Sequence, residues 1–377
     1  MSYVPFVGAQ FLVIGGGIAG ASAGYFLAAS GTVTLLEREA VPGYHATGRS
    51  AALFSEYYGN EVVRALTAAS RPFYLSPPEG FATPLVTARG VLALGPLGAE
   101  ERFDEVLAAG MTAPTPVREI DAGQARGHCP VLRPGWFSRA MLKPAAMDID
   151  VDAVHQGFLR GIRAAGGRVV HPARLQALGR RGGRWHAVTD VGEFSADGVV
   201  NAAGAWADEV AALAGVDQVG LTPLRRTAFI VAPPAGPAVT RWPMVADVTE
   251  TFYFKPESGR LLISPSDATP VPPGDARPDD IDVAAAIDRV HAATTLVIRH
   301  VQHAWAGLRT AAADDTPVIG EPPGAPGFCW LAGLSGYGIQ SAPATGRLAA
   351  ALLTGRAPEL PGVPRIDLAA LSPLRLL

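Results

Sequence analysis

A glycine-rich segment near the start of the chain has the spacing of a dinucleotide-binding turn. It reads Gly15-Gly-Gly-Ile-Ala-Gly20, and Glu37 follows 22 residues after Gly15. In such a GxGxxG turn the first glycine permits the bend, the second lets the backbone approach a pyrophosphate, and the third lets helix and strand pack closely. A carboxylate at Glu37 can accept hydrogen bonds from ribose hydroxyls and would repel a 2′-phosphate. The pattern predicts an adenine dinucleotide other than NADP.

The segments around this turn predict the elements that position it. Residues 11–14 and 33–36 are short apolar runs typical of buried parallel strands, and residues 21–30 are small and apolar, as in a packed helix. The phosphates would lie at the helix N-terminus, where free N–H groups and the helix dipole favour negative charge. Strand, turn, helix, strand and acid in this order indicate a Rossmann-like unit and leave NAD and FAD as alternatives.

The segment after the second strand favours FAD. Residues 39–50 form a loop rich in Gly, Ser and Thr, where a nicotinamide dehydrogenase would continue into another helix. Together with residues 198–206, Trp305-Ala-Gly-Leu-Arg309 and residues 333–340, this loop resembles the D-amino-acid oxidase superfamily, which includes glycine oxidase and sarcosine oxidase. Residues 43–52 and 64–71 and Leu371-Ser-Pro most resemble D-arginine dehydrogenases within that superfamily.

The resemblance runs from residue 10 to about residue 350 and implies the positions that bind FAD. They are Gly15, Gly17, Ala19, Gly20, Glu37, Arg38, Ala46, Thr47, Gly48, Arg49, Ser50, Ala51, Ala52, Leu53, Leu175, Gly204, Ser335, Gly336, Tyr337, Gly338, Ile339 and Gln340. Some sarcosine oxidases attach FAD through a cysteine shortly after the W-x-G-x-R motif. Because residues 310–314 contain no cysteine, we expect non-covalent FAD.

Oxidation of an amino acid by FAD needs an anchor for the substrate carboxylate and a hydride path from Cα to flavin N5. Arg309 is the first candidate for the anchor because a guanidinium matches a carboxylate bidentately. The catalytic residues that the resemblance implies are Arg309, Arg226, Tyr253, the lid tyrosine Tyr58, and Gln340. Arg225 and Arg226 could equally form a solvated pair. His45 is expected to be structural, since a general base must reach the reacting proton.

Three positions bear on the substrate side chain. Enzymes tuned for D-arginine place a carboxylate where this chain has Val91, and a polar imidazole where it has Leu53. A cationic side chain would lack a partner there, and an unpaired buried cation is costly. The resemblance therefore predicts a pocket for apolar D-amino acids, such as leucine, methionine, phenylalanine or proline. Glu56 leaves open a carboxylate that reads a cation from another side.

The remaining segments predict an α/β fold made of two interleaved domains. We expect a Rossmann-like FAD-binding domain of glutathione-reductase type from residues 1–80, 145–222 and 300–377. The α+β substrate domain, built on a mixed or antiparallel sheet, would comprise residues 81–144 and 223–299. Residues 91–94 and 168–170 are predicted strands, and a helix is predicted to begin at Asp148. Residues 223–299 are predicted to be sheet with a loop over 270–280.

Composition limits the classes of function. The 377 residues carry 31 basic and 34 acidic side chains, a net charge of −3, without the basic surface that nucleic-acid binding requires. Cys129 and Cys329 are 200 residues apart, which argues against a disulfide framework or metal site and fits the cytoplasm. Residues 11–31 lack charge, but the six glycines and the missing basic residues before them favour the nucleotide unit over a membrane span.

These observations predict an FAD-dependent D-amino-acid dehydrogenase or oxidase that forms imino acids, which hydrolyse to 2-oxo acids. The electron acceptor, O₂ or a quinone or dye, stays open, and a quinone would place the protein at the membrane periphery. The alternative within amine oxidation is a glycine- or sarcosine-type amine. Alternatives of other classes are the FAD domain of a tRNA-modifying enzyme and a non-catalytic flavin-binding protein.

Overall fold

The computed structural model describes residues 8–111, 115, 117–236, 238–363 and 366–377. These residues contain 21 strands and eight α-helices, which we number β1–β21 and α1–α8 in chain order. The strands form four sheets, of six, nine, three and three strands. The two large sheets supply most of the framework of the site.

The six-stranded sheet contains the predicted nucleotide unit. Its order is β20-β21-β13-β1-β2-β9, and all neighbours are parallel except the β20–β21 pair. The strands are β1 (Ala9–Ile14), β2 (Gly31–Leu36), β9 (Arg168–Val170), β13 (Gly198–Asn201), β20 (Val318–Gly320) and β21 (Phe328–Ala332). Their apolar runs reflect burial on both faces.

Helices cover one face of this sheet, and a small sheet covers the other. The helices are α1 (Ile18–Leu27), α2 (Glu61–Leu75), α5 (Val151–Ala164) and α8 (Gly338–Leu353). On the opposite face lie α6 (Ala207–Leu213) and the antiparallel strands β10 (Leu175–Arg181), β11 (Arg184–Thr189) and β12 (Gly192–Ala196). Alternate residues of one strand therefore enter different cores: Phe11 packs with the helices, and Leu12 packs with the small sheet.

The nine-stranded sheet is mixed, with the order β18-β14-β17-β16-β15-β5-β7-β6 and β19 paired to β14. Its strands are β5 (Val91–Pro96), β6 (Arg118–Asp121), β7 (Phe137–Lys143), β14 (Thr222–Val231), β15 (Met244–Asp247), β16 (Tyr253–Glu257), β17 (Arg260–Ser264), β18 (Thr269–Pro270) and β19 (Val301–Ala311). The helices α4 (Ala122–His128) and α7 (Asp280–Ala293) pack on one face. The short helix α3 (Glu100–Met111) packs near Ala93 and Met141 on the other.

The remaining three-stranded sheet is antiparallel, and each of its strands lies in the sequence between strands of the two large sheets. Its order is β3-β8-β4, from β3 (Leu53–Phe54), β4 (Val86–Ala88) and β8 (Met147–Ile149). No helix in the described part of the chain is long and apolar enough to cross a membrane.

The predicted α/β class with its parallel nucleotide sheet is confirmed, but three local predictions were wrong. Helix α5 begins at Val151 with Asp150 as its N-cap, because Asp148 lies on β8 and pairs with Arg89 and Lys255. Residues 223–299 are not all sheet, since they include α7. Helix α1 begins at Ile18, directly after the glycine turn, and not at residue 21.

Candidate active site

The main cavity of the described residues, about 930 Å³, runs from the carboxyl ends of β1 and β2 to the nine-stranded sheet. Its wall includes Ile14 and Leu36, the last residues of these two strands. Predicted residues on the wall are Gly15, Gly17, Ala19, Glu37, Arg38, Ala46, Thr47, Arg49, Ser50, Ala51, Leu175, Gly204, Arg226, Tyr253, Arg309, Ser335, Gly336, Gly338 and Ile339. Six predicted cofactor residues lie off this wall: Gly20, Gly48, Ala52, Leu53, Tyr337 and Gln340.

The glycine turn has the close contacts that its spacing predicts. Gly15 has φ +107°, a conformation that favours glycine, and its N–H donates to the Leu36 carbonyl at 2.8 Å. A Cβ on Gly20 would lie 1.9 Å from the Gly15 carbonyl oxygen. Gly20 therefore acts by packing the helix against the turn, which explains its position away from the cavity.

The N-terminus of α1 faces the cavity without a negative charge of its own. Its N-cap is Gly17, which supplies no side-chain cap, and the first turn holds no acid. The Thr47 hydroxyl accepts from the Ile18 N–H at 3.0 Å, which ties the 39–50 loop to the helix. Glu37 is 7% exposed and accepts from the Gly16 and Glu39 N–H groups at 2.7 and 2.8 Å. The remaining N–H groups and the helix dipole favour an anion here.

One end of the cavity is lined by aromatic and cationic side chains that sequence reasoning did not combine. The Arg38 guanidinium lies 4.6 Å from the centre of the Trp206 ring, and the His45 ring lies 4.7 Å from the same residue. His45 also bonds Glu39 at 3.0 Å, as expected of a structural histidine. Trp206 belongs to a short 3₁₀ helix after β13, so the signal that could have found it was its place directly after the glycine turn at Gly204.

A second helix N-terminus meets the cavity from the other side. Helix α8 begins at Gly338, and its N-cap Tyr337 provides no side-chain cap. Gln340, predicted at the flavin and the substrate, is 2% exposed and points elsewhere. Its carbonyl oxygen accepts from the Ser55 N–H at 3.1 Å, and its amide donates to Thr67 at 3.0 Å. Its side chain therefore links α8 to α2 and is not brought to the cavity.

Arg309 lies on the wall of the cavity, on strand β19. Its Nη1 donates to the Tyr58 hydroxyl at 3.1 Å. A Cβ on Gly336 would lie 2.8 Å from the same Nη1, so the glycine loop leaves the space that the guanidinium occupies. Burial opposes the charge of Arg309, but the hydroxyls of Tyr58 and Tyr253 outweigh it, so the pKa of Arg309 is raised. Arg309 is positioned as a cation facing the cavity.

The neighbouring arginines of β14 have opposite environments. Arg225 pairs with Asp267, Asp279 and Asp282, at 3.5, 3.4 and 2.7 Å. Arg226 faces the cavity, and its Nε is buried without a hydrogen-bond partner among the described residues. Burial and the nearby Arg309 lower the pKa of Arg226. A solvated pair is therefore not what the structure shows.

Tyr58 and Tyr253 flank the two guanidinia. Tyr253 lies on the cavity wall, while its neighbours Phe252 and Phe254 are fully buried in the core beneath α4 and α7. The Tyr58 ring packs 4.9 Å from the ring of Tyr337. Two cations beside two phenols can bind a carboxylate, because charged hydrogen bonds are strong where water is excluded.

The sequence model of the family described as "FAD dependent oxidoreductase" matches residues 10–352. The chain belongs to this family. Human mitochondrial dimethylglycine dehydrogenase is 25% identical over 398 aligned positions, which cover 97% of this chain and 44% of that protein. This FAD dependent oxidoreductase thus spans less than half the length of that relative.

Solved structures show the same fold. Glycine oxidase from Geobacillus kaustophilus superposes with a TM-score of 0.83 at 22% identity, covering 98% of this chain and 100% of that one. L-α-glycerophosphate oxidase from Mycoplasma pneumoniae, crystallised with FAD bound, has a TM-score of 0.83 at 18% identity and covers 94% and 97%. With the family match, the predicted FAD cofactor is confirmed.

The residues of this FAD dependent oxidoreductase fit FAD. The cavity is at the upper end of the range of about 300–1,000 Å³ that small-molecule and cofactor sites occupy. Neither N-cap residue, Gly17 or Tyr337, supplies a side-chain cap, and neither helix has an acid in its first turn. Thr47 occupies the Ile18 N–H, and the other free N–H groups can bind phosphate and flavin oxygens. Wall residues that were not predicted as site residues include Ala173, Leu213, Gln218 and Thr310, and also Ala202, Ala203, Trp206 and Gly333, whose segments were expected beside the cofactor.

Proposed function

We propose that this FAD dependent oxidoreductase oxidises free D-amino acids with apolar side chains to imino acids, which hydrolyse to 2-oxo acids. One observation carries the proposal. The Arg226 and Arg309 guanidinia share the end of the cavity, and neither has a carboxylate partner among the described residues. Two half-buried cations without a counter-ion are costly, and a substrate carboxylate would neutralise them.

Each side chain has a separate role in the proposed reaction. Arg309 binds the substrate carboxylate bidentately, and Arg226 adds a second cationic contact. The hydroxyls of Tyr58 and Tyr253 donate hydrogen bonds to the same carboxylate, and the two rings exclude water from the site. FAD, when bound, accepts the hydride that leaves Cα. Because no carboxylate or imidazole lies beside the two arginines among the described residues of the wall, the amine is expected to bind in its neutral form.

The preference for apolar side chains rests on three positions. The resemblance puts Val91 and Leu53 at the substrate side chain, and both are apolar, so neither can pair with a cation. Glu56 is buried, and its Oε2 accepts from Arg71 at 2.9 Å and from Thr115 at 3.3 Å. The Glu56 carboxylate is therefore already neutralised, which argues against D-arginine. The D configuration follows from the resemblance of residues 43–52 and 64–71 to D-arginine dehydrogenases.

Other predictions belong to the same proposal. Residues 1–80, 145–222 and 300–377 would bind FAD, and residues 81–144 and 223–299 would form the substrate domain. The pairing of β19 with β14 favours moving the last boundary past residue 311. We also propose non-covalent FAD, a cytoplasmic location, and O₂ or a quinone or dye as electron acceptor.

A glycine- or sarcosine-type amine is the second candidate substrate. It is favoured by the 25% identity with dimethylglycine dehydrogenase over an alignment that covers 97% of this chain. Both candidates place a carboxylate on the two arginines, and they differ in what lies beyond Cα and the nitrogen.

An anaerobic substrate panel tests the proposal. The holoenzyme is mixed with D- and L-leucine, D- and L-methionine, D-arginine, glycine, sarcosine and dimethylglycine, and the loss of the flavin absorbance band is followed. We expect the fastest bleaching with D-leucine or D-methionine. Faster bleaching by L-isomers, by D-arginine or by the N-methyl amines would overturn the proposed substrate class.

A further inference from the structure

The loop that follows strand β19 lies beside the segment that carries Tyr58. Asp315, in this loop, has φ +54°, and its carboxylate accepts a hydrogen bond from the Tyr337 hydroxyl at 2.7 Å. The Tyr337 ring packs edge-on against the Tyr58 ring, with the two ring centres 4.9 Å apart. The Tyr58 hydroxyl in turn accepts from Nη1 of Arg309 at 3.1 Å. Direct contacts therefore lead in three steps from Asp315 to an arginine on the cavity wall.

The same loop also holds the Tyr58 segment from its other side. Two residues after Tyr58, the chain reaches Asn60, which is the N-cap of α2. The Asn60 side-chain amide donates to the Thr316 hydroxyl at 2.8 Å and to the Asp315 carbonyl at 3.4 Å. Tyr58 thus lies between two attachments to this loop, one at the Tyr337 ring and the other at Asn60.

The C-terminal segment fixes the loop in place. The Arg375 guanidinium donates to both carboxylate oxygens of Asp314, at 2.7 and 3.1 Å, and to the Thr316 carbonyl at 2.6 Å. A bidentate pair of this kind adds geometric specificity as well as energy. Because Arg375 holds the residues on both sides of Asp315, the backbone that carries the Asp315 carboxylate is fixed.

The protonation of Tyr337 determines the direction of its hydrogen bond. Burial raises the pKa of Tyr337, and Tyr58 and Asp315 raise it further. The Tyr337 hydroxyl is therefore protonated near neutral pH and donates to the Asp315 carboxylate. Because the Tyr58 hydroxyl accepts from Arg309, its own hydrogen can be donated to a substrate carboxylate. The two phenols thus have separate hydrogen-bond acceptors.

We infer that Asp315 is a positioning residue, which holds the Tyr58 hydroxyl at Arg309 so that it can donate to the substrate carboxylate. This inference rests on the proposed function, since Arg309 must bind that carboxylate. Tyr58 is only half-buried, so a ring without support would have to be ordered each time a substrate binds. Ordering one such side chain weakens binding roughly three- to tenfold, which is the effect expected when the Asp315 carboxylate is removed.

The test measures the Kd of 4-methylvalerate, which has the carbon skeleton of leucine without the amine, from the change in flavin absorbance of the holoenzyme. Asp315→Gly removes the carboxylate and keeps the left-handed backbone, which glycine adopts without strain. Tyr337→Phe removes the hydroxyl and keeps the ring. Each variant should raise the Kd roughly three- to tenfold at equal flavin content, and the double variant no more than either alone. Asp315→Asn keeps an oxygen acceptor and should stay within about twofold of the wild type.

Ser258→Gly is the matched control, because Ser258 has φ +50° and lies in the exposed turn directly after β16. It should leave the Kd unchanged. In a Tyr58→Phe background, Asp315→Gly should change the Kd by less than about 1.5-fold, since the hydroxyl that it positions is gone. An equal loss in that background overturns the inference, because it would mean that Asp315 supports the fold in general.

The wild-type result separates this inference from the proposed function. If the wild type binds 4-methylvalerate and both single variants bind it equally well, the inference alone fails. If the wild type does not bind 4-methylvalerate, the proposed carboxylate site on Arg226 and Arg309 fails, and the inference fails with it.

Discussion

The two ends of the cavity are built in different ways. The nucleotide end is centred on one stretch of chain, from the turn at Gly15 to Glu37, and the 39–50 loop and Trp206 complete it. The substrate end is made by side chains from separate segments, and Arg226 lies near Arg309 only because β14 pairs with β19. Local spacing therefore determines the first end, whereas the second depends on long-range strand register. Substitutions at the nucleotide end should remove the flavin, and substitutions at the substrate end should slow turnover while the flavin stays bound.

The largest effect is expected from Gly20→Val. Its Cβ would lie 1.9 Å from the Gly15 carbonyl oxygen, so the turn and α1 must separate. Forcing atoms into such a packed place costs about 1–3 kcal/mol or more, and here the distortion falls on the phosphate-binding turn. We expect purified protein with little bound flavin, measured as the ratio of flavin to protein absorbance.

Gly127 provides the matched control for this change. It lies in the exposed part of α4, and a Cβ there meets nothing within 4 Å. Gly127→Ala should keep full flavin content and should stabilise the helix by about 0.5–1 kcal/mol. Normal flavin content in Gly20→Val would show that flavin still binds when the turn and α1 separate. It would contradict the expectation that substitutions at the nucleotide end remove the flavin.

Arg309→Met should have the next largest effect. It removes the proposed bidentate anchor, and charged hydrogen bonds contribute about 1.5–3 kcal/mol each, so kcat/KM should fall roughly a hundredfold or more. Steady-state kinetics at equal flavin content measure this loss. Arg309→Lys keeps the charge but loses the bidentate guanidinium, so its kcat/KM should lie between those of the wild type and Arg309→Met. A parallel loss of flavin would mean that Arg309 supports the fold instead of the substrate.

Tyr58→Phe should have a smaller effect, mainly on substrate binding. The change removes the hydroxyl that accepts from Arg309 at 3.1 Å. One hydrogen bond contributes about 1 kcal/mol, so KM should rise roughly fivefold with a smaller change in kcat. The control is Tyr57→Phe, because the Tyr57 hydroxyl donates to Thr115 and not to Arg309. Equal effects of both variants on D-methionine would contradict a specific role for Tyr58.

The last prediction changes no residue and concerns whether the flavin is covalently attached, which acid precipitation of the wild-type protein tests. Cys129 and Cys329 are both fully buried in cores and lie away from the cavity wall, so no described thiol can reach a flavin. The yellow colour should remain in the supernatant. Colour that stays with the precipitate would reveal a covalent bond from another side chain.

Sequence reasoning succeeded where a function depends on neighbours in the chain. The spacing of Gly15, Gly17 and Gly20 was sufficient to place the turn. Gly20 packs against Gly15 of the same turn, whereas Gly15 and Gly17 leave room for Ala202 and Thr47, which are distant in the chain. The sequence also indicated Arg309 through a short motif. It could not show that the Thr47 hydroxyl would cap the N–H of Ile18, since the two residues meet only after the loop folds back.

Two features that the sequence did not show have physical reasons. Gln340 is predicted at the flavin, but its side chain bonds Ser55 and Thr67, which come from distant parts of the chain, so these hydrogen bonds could not be foreseen. Helix α7 was missed although its signals are present: Asp279 caps it, Asp280 and Asp282 lie in its first turn, and His291 lies in its last. Because the strands on both sides of it were recognised, the whole of residues 223–299 was predicted to be sheet.

The acidic partners of Arg225 have a consequence for strand β14. Side chains alternate along a strand, so a slip of one residue would turn Arg226 away from the substrate and Arg225 toward it. Asp267 holds the Thr227 N–H at 2.6 Å as well as Arg225, and Asp279 and Asp282 bind the same guanidinium. A slipped strand would move Arg225 and the Thr227 N–H away from these aspartates, so their pairing stabilises the observed register. Under the proposed function, these charges outside the cavity ensure that Arg226, and not Arg225, faces the substrate.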